Sequence, residues 1–271
     1  MKMYTIGDFH IHTNYCPHGT MDSMEEYINV AIARGLKEVS FTEHAPLPKN
    51  FQDPAPERDS AMSWSDLSNY FVEGEKWKQK YRDQIKVHIG FEVDYIEGFE
   101  TDTRSFLNQY GELIDDAILS VHMLKLPDGS YVCLDYSADE FKRIISLFGD
   151  VDTVYQAYYQ TILKAIDADL GAFKPKRIGH LTLVEKFSRK YPARNDFANQ
   201  LEPILQKIKE NQLALDLNTA GLFKEDCQTL YPNPRVINRA KELGINLVPG
   251  SDSHEAKTIA RGYDQILGYF S

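Results

Sequence analysis

Seven short apolar runs recur along the chain, each separated from the next by a segment long enough to hold a helix. The runs fall at residues 4–9, 38–42, 86–91, 116–121, 177–180, 212–217 and 245–250. Within residues 23–35, Met24, Tyr27, Ile28, Ala31 and Ile32 recur at helical spacing, and Gly35 supplies a stop. Further helices are expected across Tyr70, Phe71, Trp77 and Tyr81, and near 196–211 and 234–243. Strands joined through helices form a parallel sheet with right-handed crossovers. Seven such units give an α/β fold, either closed into a barrel or left as an open doubly wound sheet.

The histidines decide between the two. Of eight, His10, His12, His18, His44, His122, His180 and His254 stand at the end of a predicted strand or just beyond it, as do Glu92 and Asp252. An open sheet gathers its site at one switch point, whereas a barrel collects residues from successive strands on its C-terminal rim. The spread over the strands therefore favours the barrel. Neutral imidazole and carboxylate are the common ligands of transition metals. His10 and His12, two residues apart on a strand, point to the same face about 7 Å apart. Asp252 and His254 repeat that spacing. A single ion needs three or four protein ligands, so seven histidines and two carboxylates suit two or three ions. His88 lies inside the third run, out of phase with the rest, and reads as structural. Cys16 is close to the site but has no free His–Asp pair to activate it as a nucleophile.

Composition narrows the partners. A net charge of -10 disfavours nucleic-acid and anionic-membrane surfaces. It permits an anionic substrate only where bound cations reverse the local field. Three scattered cysteines, Cys16, Cys133 and Cys227, suit a reducing compartment, and no stretch approaches a membrane span. The expectation is a cytoplasmic enzyme, with residues 1–271 forming one domain. Nothing in the sequence assigns an oligomeric state. Two segments break the rhythm, 46–65 and 122–150. Both leave the rim that carries the histidines and are expected to form walls or lids over a substrate.

The spacing H-x-H-x5-H at His10–His18, the TEH motif at His44, Glu92 after the third strand and the closing GSDSH resemble the polymerase and histidinol phosphatase (PHP) family. The segment LDLNTAGLF…YPNPRVINRAKELGINLVPGSDSH resembles its histidinol-phosphate phosphatase branch. The resemblance covers essentially the whole chain and implies a distorted (β/α)7, TIM-like barrel with a trinuclear site. It implies that His10, His12, Glu92 and Asp252 hold one ion and that His18, His44 and His254 hold a second. Glu92, bridging, would hold the third with His122 and His180. Glu43 stands where many relatives carry Asp, and it is expected behind the ligands. The implied reaction is hydrolysis of a phosphate monoester, L-histidinol phosphate. Alternatives are another small ester, such as a nucleotide or sugar phosphate, or a non-catalytic module.

Unaided hydrolysis of such esters is extremely slow, and its loose transition state is stabilised chiefly by electrostatics. Two to three divalent ions (Zn, Fe or Mn) would meet that need. The expected step is in-line attack by a metal-bridging hydroxide, with Asp252 orienting it or taking its proton. Glu92, Asp252 and His254 are the expected catalytic residues. Arg177, Arg189 and Arg261, with Ser120, Asn218 and Thr219, are the expected substrate contacts.

Overall fold

The computed structural model describes residues 7–270. Seven strands build its sheet: β1 (Asp8–Ile11), β2 (Glu38–His44), β3 (Lys86–Asp94), β4 (Asp116–Ser120), β7 (Arg177–Ile178), β8 (Ala214–Asn218) and β9 (Leu247–Gly250). They neighbour one another in that order, every pair parallel. The two outer strands then approach each other. Asp252 N–H donates to the His10 carbonyl at 2.8 Å, and His12 N–H donates to the Ser253 carbonyl at 2.9 Å. A parallel bridge joins Ile11 to Ser253. The sheet is thus a nearly closed, TIM-like (β/α)7 barrel rather than an open sheet.

Helices α1 (Met24–Ala33), α2 (Leu67–Tyr81), α3 (Glu100–Tyr110), α4 (Ala138–Phe148), α5 (Val151–Asp167), α6 (Ala198–Glu210) and α7 (Pro234–Glu242) accompany the strands. Their starts are chemically marked. Ser23 and Glu26 form a capping box on α1, Asp150 caps α5 through Thr153 N–H, and Asn233 with Pro234 opens α7. α5 packs Tyr155, Tyr158, Tyr159 and Ile162 into the core. The sequence reading left it unassigned, although its buried residues recur at helical spacing.

The strand ends differ from expectation: β4 and β7 stop earlier, at Ser120 and Ile178, and others shift or lengthen. The first strand, expected over 4–9, runs over Asp8–Ile11, and residues 4–6 lie outside the described residues. β2 and β3 continue past 42 and 91 to His44 and Asp94. Four of the five added residues, Glu43, His44, Glu92 and Asp94, are polar and buried, so hydrophobic patterning stops short of them although the ladder does not. Segment 122–150 is also more ordered than a loop. It holds an antiparallel hairpin of β5 (Met123–Lys125) and β6 (Tyr131–Cys133), then α4. The turn of PDGS closes that hairpin, with Gly129 at φ 88°.

One glycine shows how tightly the rim is packed. A Cβ on Gly250 would sit 2.5 Å from the His10 Cβ. Gly250→Ala should therefore displace His10 and cost about 1–3 kcal/mol by overpacking. A fall in thermal unfolding temperature together with reduced metal content would record both effects.

Candidate metal centre

β3 delivers Glu92 into the middle of the rim, where its two oxygens face different partners. Oε2 lies 3.4 Å from His10 Nε2, 3.5 Å from His12 Nε2 and 3.2 Å from His44 Nδ1. Oε1 lies 2.8 Å from His180 Nε2 and 3.8 Å from His122 Nε2. Asp252 Oδ1 completes the first group, 3.7 Å from His10 Nε2 and 3.3 Å from His12 Nε2. On the outer side, His18 Nε2 and His254 Nε2 stand 3.1 Å apart. The structure brings all nine expected ligand residues into one cluster.

The fit to cations can be tested on these atoms. His10 Nε2, His12 Nε2 and His44 Nδ1 are buried without a hydrogen-bond partner among the described residues. Such groups are costly unless something coordinates them. Two nitrogens bound to one cation at about 2.0–2.1 Å stand roughly 2.9–3.4 Å apart in tetrahedral or octahedral geometry. The His18–His254 and His122–His180 Nε2 pairs are both 3.1 Å apart. His10, His12 and Glu92 form one group of converging donors, and Glu92, His122 and His180 form another. The residues fit divalent ions.

Three of the rings are held from behind by carboxylates. His10 Nδ1 meets Asp216 Oδ2 at 2.9 Å, His12 Nδ1 meets Glu43 Oε1 at 3.3 Å, and His122 Nδ1 meets Asp94 Oδ1 at 2.7 Å. A carboxylate on one ring nitrogen fixes the tautomer and turns the other nitrogen toward the metal. Asp216 and Asp94 escaped the sequence reading. Their signal was present in period two: Asp94 follows Glu92 on the same face of β3, and Asp216 is a lone acid inside the apolar run of β8. Asp216→Asn keeps the shape but weakens this support, so metal affinity should fall by about 10–100-fold. Competition titration against a chromophoric chelator reads that change directly.

The electrostatics agree with a cation site. Burial opposes charge on His10, yet Asp216, Glu92 and Asp252 outweigh it and hold its pKa well above the usual value. For His12, burial is likewise overcome by Asp252 and Glu43, and the pKa rises to about 9. For His122, Asp94 and Glu92 overcome burial and raise it to about 10. Burial and then His12 keep His44 and His254 well below their usual range, neutral and with lone pairs free. The carboxylates thus impose a field that demands positive charge, and in the absence of cations protons meet it. Burial also raises the Cys16 thiol, with Glu43 adding to it, so without a cation Cys16 is no nucleophile.

Asp252 has φ 52°, a left-handed conformation that Asp tolerates better than most residues. The turn is pinned by Asp8, buried beneath it, which accepts from Ser251 N–H at 2.9 Å and Ala260 N–H at 2.8 Å.

The cluster forms the floor of a 490 Å³ cleft. Its walls carry three cations, Lys186, Lys224 and Arg261, and the acids Asp59, Asp135 and Glu255. Segment 46–65 contributes Asp59 and Ser60, and segment 122–150 contributes Cys133, Asp135 and Tyr136. Of the expected substrate contacts, Arg261 lines this cleft. Arg177 does not. It is buried at the opposite end of the barrel, donating to the Phe9 carbonyl at 2.9 Å and to Asp116 Oδ2 at 2.7 Å. It begins β7, and the start of a parallel strand faces away from the C-terminal rim. Arg189 is exposed outside the cleft, its backbone N–H on the Asp226 carbonyl. Ser120, Asn218 and Thr219 are buried behind the site. Ser120 Oγ donates to Glu92 Oε1 at 2.5 Å, Asn218 Nδ2 to Asp252 Oδ2 at 3.2 Å, and Thr219 Oγ1 to the Arg261 carbonyl at 2.7 Å. They hold the site residues in place. Lys186 and Lys224 were missed because a lysine far from a strand end carries no positional signal in sequence. His88 Nε2 meets Glu38 Oε2 at 2.9 Å, near the beginnings of their strands and away from the cluster.

Comparison with known proteins gives a consistent picture. Residues 8–220 match the PHP domain family. The histidinol-phosphatase of Bacillus subtilis (strain 168) is 44% identical over 262 residues, covering 96% of this chain and 97% of that protein. A candidate histidinol phosphatase of Listeria monocytogenes has a crystal structure that superposes with a TM-score of 0.91. It is 40% identical, and the match covers 96% of this chain and 99% of that one. The histidinol phosphate phosphatase of Lactococcus lactis superposes with a TM-score of 0.70 at 23% identity, covering 98% and 94% of the two chains. That structure contains zinc, L-histidinol and phosphate.

Proposed function

The chain belongs to the PHP domain family, and from that premise we infer that it is a histidinol-phosphatase of histidine biosynthesis. It hydrolyses L-histidinol phosphate to L-histidinol and inorganic phosphate. The observation that carries the reading is Glu92, buried at the centre of the rim with one oxygen toward His10 and His12 and the other toward His122 and His180. A bridging carboxylate of this kind serves a multinuclear site, which we read as two to three divalent ions. Zinc, iron and manganese all suit its ligands. When bound, such ions supply Lewis acidity toward the phosphoryl oxygens, lower the pKa of water and stabilise the leaving alkoxide.

The protein's own groups do the rest. His10, His12, Glu92 and Asp252 would hold one ion, His122, His180 and Glu92 another, and His18, His44 and His254 a further one. Burial opposes charge on Asp252, but His10, His12 and His254 keep its carboxyl ionised well below the usual range. In that form it can accept a hydrogen bond from the attacking water and orient it, or take its proton. Lys186, Lys224 and Arg261 face the cleft and suit a phosphate dianion. Burial and the neighbouring Lys186 lower the pKa of Lys224, a strain that an anion would relieve. Asp59 and Glu255 offer carboxylates to the ammonium and imidazole of the alcohol portion. The whole chain, 1–271, is read as one barrel domain working as a cytoplasmic enzyme. Among the described residues no helix is long and apolar enough to cross a membrane, and the three cysteines are unpaired.

Substrate choice provides the test. Cations grip any phosphate alike, and a uniform grip confers no discrimination. Walls built for imidazole and ammonium penalise esters that lack them. kcat/KM for L-histidinol phosphate should exceed that for p-nitrophenyl phosphate and common sugar phosphates by at least about 10²-fold. Equal efficiency across the panel would leave a general phosphatase, and a preference for a nucleotide would replace the substrate.

A further inference from the structure

We propose that Phe223 is a positioning residue for phosphate recognition: its ring holds the Arg261 guanidinium at the cleft wall without neutralising it. Phe223 ends a one-turn helix, Ala220–Phe223, that follows β8. Its side chain is 49% exposed and stands outside the hydrophobic core. The ring instead lies under Arg261, whose Cζ is 4.7 Å from the ring centroid, well inside cation–π range. The two segments are tied together at the backbone. Thr219, just before the one-turn helix, donates through Oγ1 to the Arg261 carbonyl at 2.7 Å, and the neighbouring Ala260 N–H donates to buried Asp8 at 2.8 Å. Gly262 turns away at φ 76°, and a Cβ there would sit 3.1 Å from the Phe223 ring. Ring and guanidinium are therefore set against each other by the fold.

The charge of Arg261 is left available. In this chain of 40 acidic and 30 basic side chains, Arg104, Arg143, Arg177, Arg235 and Arg239 each pair with a carboxylate. Among the described residues Arg261 makes no ion pair, and its Nε is buried with no hydrogen-bond partner. Asp252, Glu255 and Asp8 act on it only through space. Of the other cleft cations, Lys186 is already engaged by Asp135, 2.8 Å from Oδ2 and 2.6 Å from the carbonyl oxygen. Lys224 is a point charge on a flexible stem, whereas a planar guanidinium can take two phosphate oxygens at once. A carboxylate would orient Arg261 equally well but would cancel the charge that an anion needs. An aromatic face orients the guanidinium and leaves its charge intact.

The inference rests on the phosphatase reading, and inorganic phosphate separates the two. Titration calorimetry of metal-loaded protein with inorganic phosphate measures binding without turnover. Phe223→Leu keeps the bulk and loses the aromatic face. The Kd for inorganic phosphate and the KM for L-histidinol phosphate should both rise about 3–10-fold in that variant, with kcat within about twofold of wild type. Phe223→Tyr should keep both constants near wild type, and Phe223→Ala should repeat the Phe223→Leu result with a second side chain. In an Arg261→Ala background, Phe223→Leu should change phosphate affinity by less than about twofold, because the ring then has no cation to hold. Unchanged phosphate affinity in both Phe223→Leu and Phe223→Ala would overturn the inference, and continued hydrolysis of L-histidinol phosphate would leave the phosphatase reading intact. An effect of full size in the Arg261→Ala background would also overturn it, since the ring would then act without the guanidinium. The expected coupling in phosphate binding, with no hydrolysis of L-histidinol phosphate, would uphold the role of Phe223 and overturn the substrate reading instead.

Discussion

Glu92→Gln should be the most damaging single substitution in this protein, with kcat/KM for L-histidinol phosphate lower by more than about 10³-fold. The side chain keeps its length, so the packing around it survives. Its charge does not. Burial alone would favour a neutral group, but His10, His122 and His180 hold Glu92 ionised, well below the usual carboxyl range. An amide has one oxygen instead of two and no charge, so it can no longer serve the His10–His12 side and the His122–His180 side together. The same substitution leaves the histidines without their central counter-charge. Elemental analysis of protein purified without chelator should find two to three divalent ions per wild-type chain and at least one fewer in Glu92→Gln. Full metal content with normal turnover would remove the bridging role.

Asp252→Asn should lower turnover by about 10²-fold or more, with a smaller effect on metal content than Glu92→Gln. Asp252 lies at the edge of the first donor group and also lines the cleft. Asn218 Nδ2 donates to its Oδ2, so the amide of the variant must turn its own oxygen toward Asn218 and present NH₂ to the histidines. That reverses the polarity offered to cation and water alike. His88→Gln is the matched control. Its site lies at the other end of the barrel against Glu38, and both metal content and turnover should stay near wild type. Near-normal turnover in Asp252→Asn would take the residue out of the mechanism.

Much of the fold was written in local pattern. Short apolar runs alternating with helical periodicity demand a parallel sheet, and ligands after nearly every strand demand a rim. Both are near-neighbour properties: periodicity follows from backbone geometry, and strand ends follow from where it stops. The nine residues that converge on the rim were legible for the same reason, because a barrel converts position along the chain into position around a circle. Local pattern also set the limits of the reading. It ended strands where acidic and histidine residues begin, so β2 and β3 seemed to stop before His44 and Asp94.

What tertiary structure alone decided is which polar group meets which. Arg177 is two residues from Gly179 and three from His180, yet it faces the opposite end of the barrel and bonds Asp116. Ser120 is two residues from His122 but turns inward to Glu92. Asp216 is 206 positions from His10 and touches its ring. Lys186 and Lys224, on separate connections, reach the same cleft. Contacts between residues so far apart depend on chain closure around the barrel, which no local spacing encodes. The sequence by itself determined the architecture and the metal-binding residue types. The pairings that orient those residues, and the walls that choose a substrate, came only with the closed barrel.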